Sequence, residues 1–321
     1  MIIAITGGTG FIGRKLVKRL VARGDTVRLL TRSNIALSGE FSSLEIHQCD
    51  LMAAGFNELS VMLDGVNVLY HCAGQLKNTC AMRALHVDAT RKLVEAASRR
   101  VDHWVQLSSV GVYGPVAAGT VTEDSVFNPV GQYEITKTES DRIVADAADQ
   151  GSFSCSILRP SNVFGAEMTN QSLFSMIAMI ERGLFFYIGK LGASANYIHV
   201  DNVIEGLISC GTMQPAKGRV YNLSDHRTLE HFVEVIAAAL GRAVQGLRIP
   251  EPIAHLVGKT LGRFPGFPLT QSRVDALVAR SIYPISRIQD ELGYHHVVSM
   301  EEGLRELVDA YKQRSRHCER Q

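Results

Sequence analysis

The chain lacks a surplus of charge: 33 lysines and arginines face 32 aspartates and glutamates, a net +1, with the two signs dispersed along its length. No electrostatic argument for binding nucleic acid or an anionic membrane surface follows from that balance. It also lacks an apolar run of the roughly 20 residues that a membrane span needs. The best stretch, 174–188, is interrupted by Glu181-Arg182. No basic segment precedes the apolar start, and glycines break that start within a few residues, so it does not read as a secretory leader. Six cysteines, at 49, 72, 80, 155, 210 and 318, are scattered without a C-x-x-C pair or a His/Cys cluster. The expectation is free, buried thiols in a reducing, cytoplasmic setting, with no disulfide framework and no metal site. Internal repeats and low-complexity segments are missing as well. The rest is an ordinary 321-residue composition, 46% hydrophobic, enough for one large α/β domain with or without a smaller companion.

The first fourteen residues organise what is present. Ile2, Ile3, Ala4 and Ile5 suit a strand buried on both faces. Thr6-Gly7-Gly8-Thr9-Gly10-Phe11-Ile12-Gly13 follows, and then Leu16, Val17, Leu20 and Val21 recur at helical spacing. Strand, glycine turn and helix form a nucleotide-binding pattern. Its glycines give a tight turn, a bare backbone that a pyrophosphate can approach, and close helix–strand contact. The helix start offers unpaired N–H groups and a positive dipole end to an anion.

Further strands are expected at 26–31, 44–47, 67–70, 101–108 and 154–158, with an amphipathic helix over 81–99. The residue closing the second strand selects the dinucleotide: an acid suits the ribose 2′-hydroxyl of NAD, a base the 2′-phosphate of NADP. Here Arg32 stands there, followed by Ser33 and Asn34, so NADP is preferred over NAD. Ser109 directly follows the fifth strand, and 24 residues later Tyr133-Glu134-Ile135-Thr136-Lys137 opens a helix running to about 148. Residues four apart share a helix face, so Tyr133 and Lys137 point the same way. A phenol with a pKa near ~10 is a poor base at neutral pH. A neighbouring ammonium, helped by the positive charge of a bound nicotinamide, is expected to lower that value and help a proton move.

The turn, the strand-end serine and the Tyr-x-x-x-Lys pair, in this order, resemble the extended short-chain dehydrogenase/reductase family, the NAD-dependent epimerase/dehydratase-like branch. The resemblance spans nearly the whole chain, tightly to Gly165 and loosely beyond. It implies an α/β fold with a Rossmann-type doubly wound parallel sheet, and a smaller C-terminal α/β substrate-binding region. The dinucleotide domain would take residues 1–165 and parts of about 196–224, the substrate region 166–195 and 225–321. Implied catalytic residues are Ser109, Tyr133 and Lys137. Implied cofactor contacts are Gly7, Gly10, Phe11, Ile12, Gly13 and Arg32, then Asp50 and Leu51 at the adenine. Cys72, Ala73 and Gly74 form a second backbone loop beneath the nicotinamide; Tyr133, Lys137, Pro160 and Val163 complete the set. Ser109 and Asn162, the latter in Arg159-Pro160-Ser161-Asn162-Val163-Phe164-Gly165, would face the substrate. The family also implies a homodimer packed through helices 80–99 and 131–148.

The departures prune the activities. Family dehydratases follow their catalytic threonine with Asp-Glu, where this chain has Val110-Gly111. Sugar-nucleotide epimerases carry a diphosphate-clamping arginine where Ala195 stands before Tyr197-Ile198-His199-Val200, although Arg273 or Arg280 could act from elsewhere. A histidine, His86, replaces the asparagine of the family's Asn-Val-x-Gly-Thr; it could still hydrogen-bond a backbone carbonyl, and the preferred reading is a helix-surface residue. The resulting reading is an NAD(P)-dependent oxidoreductase that moves hydride between the nicotinamide and a carbonyl or alcohol carbon, with Tyr133 as acid/base. A nucleotide-sugar 4-epimerase using bound NAD is the alternative, and a non-catalytic dinucleotide sensor comes third. Towards the C-terminus a strand is expected at 220–223, a helix from Thr228 to Leu240, and a short helix with a loop arching over the cleft at 251–270. Ser286–Tyr294 resembles a family C-terminal segment, a last helix covers 301–311, and the basic tail frays from Lys312.

Overall fold

In the computed structural model, residues 1–32, 44–168, 171–244, 246–260 and 270–318 are described. Ser33, Asn34 and the 261–269 part of the expected loop over the cleft lie outside them. The first half alternates strand and helix: β1 (Ile2–Thr6), α1 (Phe11–Ala22), β2 (Thr26–Thr31), β3 (Leu44–Gln48), α2 (Phe56–Leu63) and β4 (Val66–His71). Then come α3 (Thr79–Arg83), a π turn at Ala84–Asp88, α4 (Ala89–Ala97), β5 (Val101–Leu107), β6 (Ala118–Thr120), α5 (Gln132–Asp149) and β7 (Ser154–Pro160). After β8 (Asn162–Phe164) the elements are α6 (Gln171–Glu181), β9 (Tyr187–Ile188), β10 (Ser194–His199), α7 (Val200–Thr212), β11 (Arg219–Leu223), β12 (Asp225–Thr228) and α8 (Leu229–Leu240). The chain closes with β13 (Arg248–Ile249), α9 (Glu251–Thr260), α10 (Gln271–Val278), β14 (Arg280–Ile282), α11 (Ser286–Leu292) and α12 (Met300–Cys318).

Seven strands form one sheet in the order β11-β7-β5-β4-β1-β2-β3, and every neighbouring pair is parallel. From β1 the strands follow one another outward through β2 to β3, and from β4 they run outward on the other side through β5 and β7, so the turn after β1 opens at the switch point of an open α/β sheet. Ile3, Ala4 and Ile5 are fully buried, as a run without polar alternation requires when both faces are covered. One face packs Leu16, Val17 and Leu20 of α1 with Val203, Ile204 and Leu207 of α7. The other packs Leu59, Leu63, Leu93, Ala96 and Val144 around Trp104. Each fully buried leucine or isoleucine contributes about 1.5–3 kcal/mol. A third cluster, with Phe174, Ile177, Phe232, Ile236, Leu304 and Leu307, lies among α6, α8 and α12 beside a three-stranded sheet, β12-β10-β8.

Local signals set several boundaries. The hydroxyl of Thr228 accepts from the His231 N–H at the start of α8, and Gly241, at φ 69°, ends it. Two expectations need correction. The helix expected over 81–99 is broken by the π turn and ends at Ala97, with Arg99 at φ 59°. The tail expected to fray at Lys312 instead continues α12: Lys312 donates to the Ala239 carbonyl, and Arg314 donates to the Ala166 carbonyl and lies over the Phe174 ring.

Candidate active site

The carboxyl ends of the parallel strands supply the site. After β1 the chain turns at Gly7, whose φ of +70° favours glycine and whose added Cβ would stand 2.5 Å from the Ala73 nitrogen. At Gly13 a Cβ would lie 2.2 Å from the Gly7 carbonyl oxygen, so helix α1 can approach the turn only without a side chain there. Gly10, by contrast, is exposed, and a Cβ there would meet only the Gly7 oxygen at 3.3 Å. The first turn of α1 has no side-chain cap and no acidic residue. No side chain caps the N–H groups of this helix start, which suits the diphosphate of a dinucleotide. The half-buried Phe11 ring lies against Gly165, joining this turn to the segment after β7. Ile12 is half-buried against the core under the turn.

Around that turn, Arg32 is exposed at the end of β2. Asp50 folds its carboxylate onto the Met52 N–H, 3.1 Å away, and Leu51 is buried. His71 ends β4, one residue beyond the strand expected at 67–70, and Cys72, Ala73 and Gly74 follow it. Ala73 is held by the Thr6 hydroxyl at 3.4 Å. The Cys72 thiol is pushed up to about 12 by burial, so it is an inert neighbour. Pro160 is buried at the end of β7, and the half-buried Val163 in β8 pairs with Ile198. Asn162 is exposed and donates to the Asn196 carbonyl at 3.2 Å.

The catalytic candidates converge from β5 and α5. The Ser109 oxygen accepts from the Gly111 N–H at 3.1 Å, and its hydroxyl faces the Tyr133 phenol closely enough to favour the phenolate. Lys137 is buried and donates to the Leu107 carbonyl, the last residue of β5. Burial pushes this ammonium down, while Asp141 pushes it back up. The expectation that the ammonium lowers the phenol's pKa does not hold for the chain on its own. Burial first, then the negative charges of Asp141 and Glu134, push Tyr133 up to about 12. A phenol so held stays protonated at neutral pH and is ready to donate.

Four residues near this cluster were not anticipated in these roles. Asp141, one helical turn beyond Lys137, is buried; it accepts from Ser108 at 2.6 Å and pairs with the buried Arg159 at 3.3 Å. Arg159 in turn bonds the Tyr113 hydroxyl at 3.0 Å and lies over the Phe127 ring. His71 contacts the Thr6 hydroxyl at 2.7 Å and that of Thr90 at 3.1 Å, and is pushed down to about 3 by burial. His86, read from sequence as a surface residue, is 1% exposed. It lies inside because the π turn redirects its side chain between the loop after β4 and α5, with its ring edge-on to Tyr133 at 5.7 Å. A regular 3.6-residue period does not run through that turn. The repeat Tyr133-Lys137-Asp141 at four-residue spacing was a readable signal for Asp141.

The sequence profile of the NAD dependent epimerase/dehydratase family matches residues 3–224. A UDP-glucose 4-epimerase of Vibrio cholerae is 23% identical, over 97% of this chain and 95% of its own length. A 3 beta-hydroxysteroid dehydrogenase/Delta 5-->4-isomerase of Mycobacterium tuberculosis is 27% identical, over 96% and 90%. Among solved structures, the UDP-glucuronic acid 4-epimerase of Bacillus cereus in complex with NAD superposes with a TM-score of 0.75 at 20% identity, covering 98% of this chain and 99% of that one.

Proposed function

The chain belongs to the NAD dependent epimerase/dehydratase family and is a nicotinamide-dependent enzyme, and we propose that within this family it is an NADP(H)-using carbonyl reductase or alcohol dehydrogenase. The observation that carries the reading is the hydroxyl pair Ser109–Tyr133, with the phenol held protonated, at the same sheet edge as an uncapped glycine turn. Gly7, Gly10, Phe11, Ile12 and Gly13 would hold the diphosphate; Asp50 and Leu51 the adenine; Arg32 the 2′-phosphate. Cys72, Ala73, Gly74, Pro160 and Val163 would flank the nicotinamide end, with Lys137 on its ribose. When bound, the nicotinamide supplies or accepts the hydride. Tyr133 gives its proton to the substrate oxygen during reduction, and Ser109 steadies that oxygen with a second hydrogen bond. Asn162 borders the substrate's side.

The smaller region supports a substrate without a nucleotide diphosphate. Ala195 is 2% exposed and belongs to the core. The Arg280 guanidinium is committed to the carbonyls of Val278 at 2.8 Å and of Lys190 at 2.9 Å. Likeness to a UDP-glucose 4-epimerase keeps a second reading, epimerisation with bound NAD, beside the first. The two part in one assay. Purified protein given NADPH and a panel of ketones and aldehydes should consume NADPH with at least one of them. Interconversion of UDP-sugars without net NADPH use, and no reaction with the panel, would reverse the order. Arg32→Ala should lower the NADPH-over-NADH preference about tenfold through the lost phosphate contact; an unchanged ratio removes Arg32 from the cofactor site.

A further inference from the structure

We infer that His86 is a positioning residue for the proposed reaction: a neutral, single-tautomer pin that locks the loop beneath the nicotinamide to the first turn of the catalytic helix. The inference rests on the proposed cofactor site but on separate contacts. The Gln75 N–H donates to His86 Nε2 at 2.8 Å, so Nε2 is bare and the ring proton sits on Nδ1. Nδ1–H then donates to the Thr136 hydroxyl at 2.8 Å. That hydroxyl in turn donates to the Gln132 carbonyl at 2.8 Å, with the Tyr133 carbonyl at 3.1 Å. Every donor in this chain points the same way, from the loop after β4 to the residues that start α5. Only one tautomer satisfies both ring nitrogens, and protonation would break the link at Gln75.

The location gives the pin its purpose. Gln75 directly follows Cys72-Ala73-Gly74, and a Cβ at Gly74 would stand 3.6 Å from His86 Nε2. On the other side the His86 ring meets Tyr133 edge-on. A small shift of the loop therefore reaches the phenol through a few short contacts, and a displaced phenol misses the substrate oxygen. Facing His86 are Lys137 and Tyr133 from α5 and His71 from β4. Burial first, and then the Lys137 ammonium, oppose a positive charge on the His86 ring and keep it neutral over the working pH range, and the neutral His71 adds no charge of its own.

The test compares His86→Leu with His86→Asn on the intact chain. The asparagine is polar at both ends and can offer an oxygen to Gln75 and an amide to Thr136. Three quantities are read: hydrogen exchange at the Gln75 amide, the dissociation constant for NADPH and separately for NADH, and kcat against KM. His86→Leu should speed exchange at Gln75 and weaken dinucleotide binding about tenfold, as loss of a buried hydrogen bond implies. It should also lower kcat beyond the loss in cofactor affinity, with His86→Asn recovering most of all three. If His86→Leu lowers only thermal stability and leaves Gln75 exchange, affinity and kcat as in the parent, the pin is refuted. Should His86→Leu fail to fold, the parent decides through its imidazole nitrogen resonances: a proton on Nε2, or a mixture of tautomers, also refutes it. If the protein takes no dinucleotide at all, the proposed function fails, while exchange and tautomer still judge the pin.

Discussion

The glycine turn and the Ser109–Tyr133–Lys137 cluster lie on the same sheet edge and are built in opposite ways. The turn works through backbone: seven consecutive residues, no side-chain cap, a Gly10 N–H that donates to the Gly7 carbonyl at 3.0 Å, and atoms packed too closely for a Cβ at Gly7 or Gly13. The cluster works through side chains from β5 and α5, braced by a buried polar frame of Asp141, Arg159, His86 and Thr136. A site of the first kind depends on shape and is damaged by adding atoms. A site of the second kind depends on charge and direction and is damaged by removing them.

Deleting one oxygen from the cluster is the strongest test of that contrast. Tyr133→Phe should cost about 10²–10⁴ in kcat, the usual contribution of a general acid, while the NADPH dissociation constant stays within about threefold. A comparable loss of NADPH binding would mean the two sites are not separable. Adding one carbon to the turn should do the reverse. In Gly13→Ala the new methyl meets the Gly7 oxygen, a backbone atom that cannot swing away. Expected are about 1–3 kcal/mol of destabilisation from overpacking, read in a urea titration, and a dinucleotide affinity reduced more than kcat at saturation. A full-affinity Gly13→Ala protein would show that the turn tolerates a side chain.

The smallest effect concerns acid. His71 and His86 have pKa values lowered to about 3 and about 4 from an ordinary 6.5, chiefly by burial. Below 6.5 the unfolded chain takes up protons at these positions and the native protein does not. Their contribution is therefore complete above pH 6.5 and is lost as the pH falls through 4 towards 3. Urea midpoints should decline steadily on going from neutral pH to pH 4, and the decline should be shallower in His86→Asn. A midpoint flat over that range would mean the histidines are charged in the folded protein.

Legibility followed the same divide. The turn was readable because strand, glycine spacing and helix are contiguous, and the structure places Gly7, Gly10 and Gly13 in three different environments. Tyr133 and Lys137 were readable as a same-face pair. The state of the phenol was not, because it is set by burial and by Asp141, whose carboxylate is fixed by Ser108 and Arg159 from other strands. His86 was misread for a related reason: one π turn moves a side chain from outside to inside, and no residue pattern announced it. Arg280 carried the possibility of a phosphate clamp in sequence, and in the fold it closes off carbonyls of its own chain.

Sequence alone determined the alternating strands and helices, the parallel sheet and the turn, since buried runs, periodicity and glycine spacing act over a few neighbouring residues. Only the tertiary structure decided which histidine is neutral, which arginine is committed and where the phenol's proton stays. Those properties are sums over groups brought together from 11 to 50 positions apart at His86, and from 18 to 33 at Asp141. A charge responds to whatever surrounds it in space, and the order of residues along the chain does not specify those surroundings until the chain has folded.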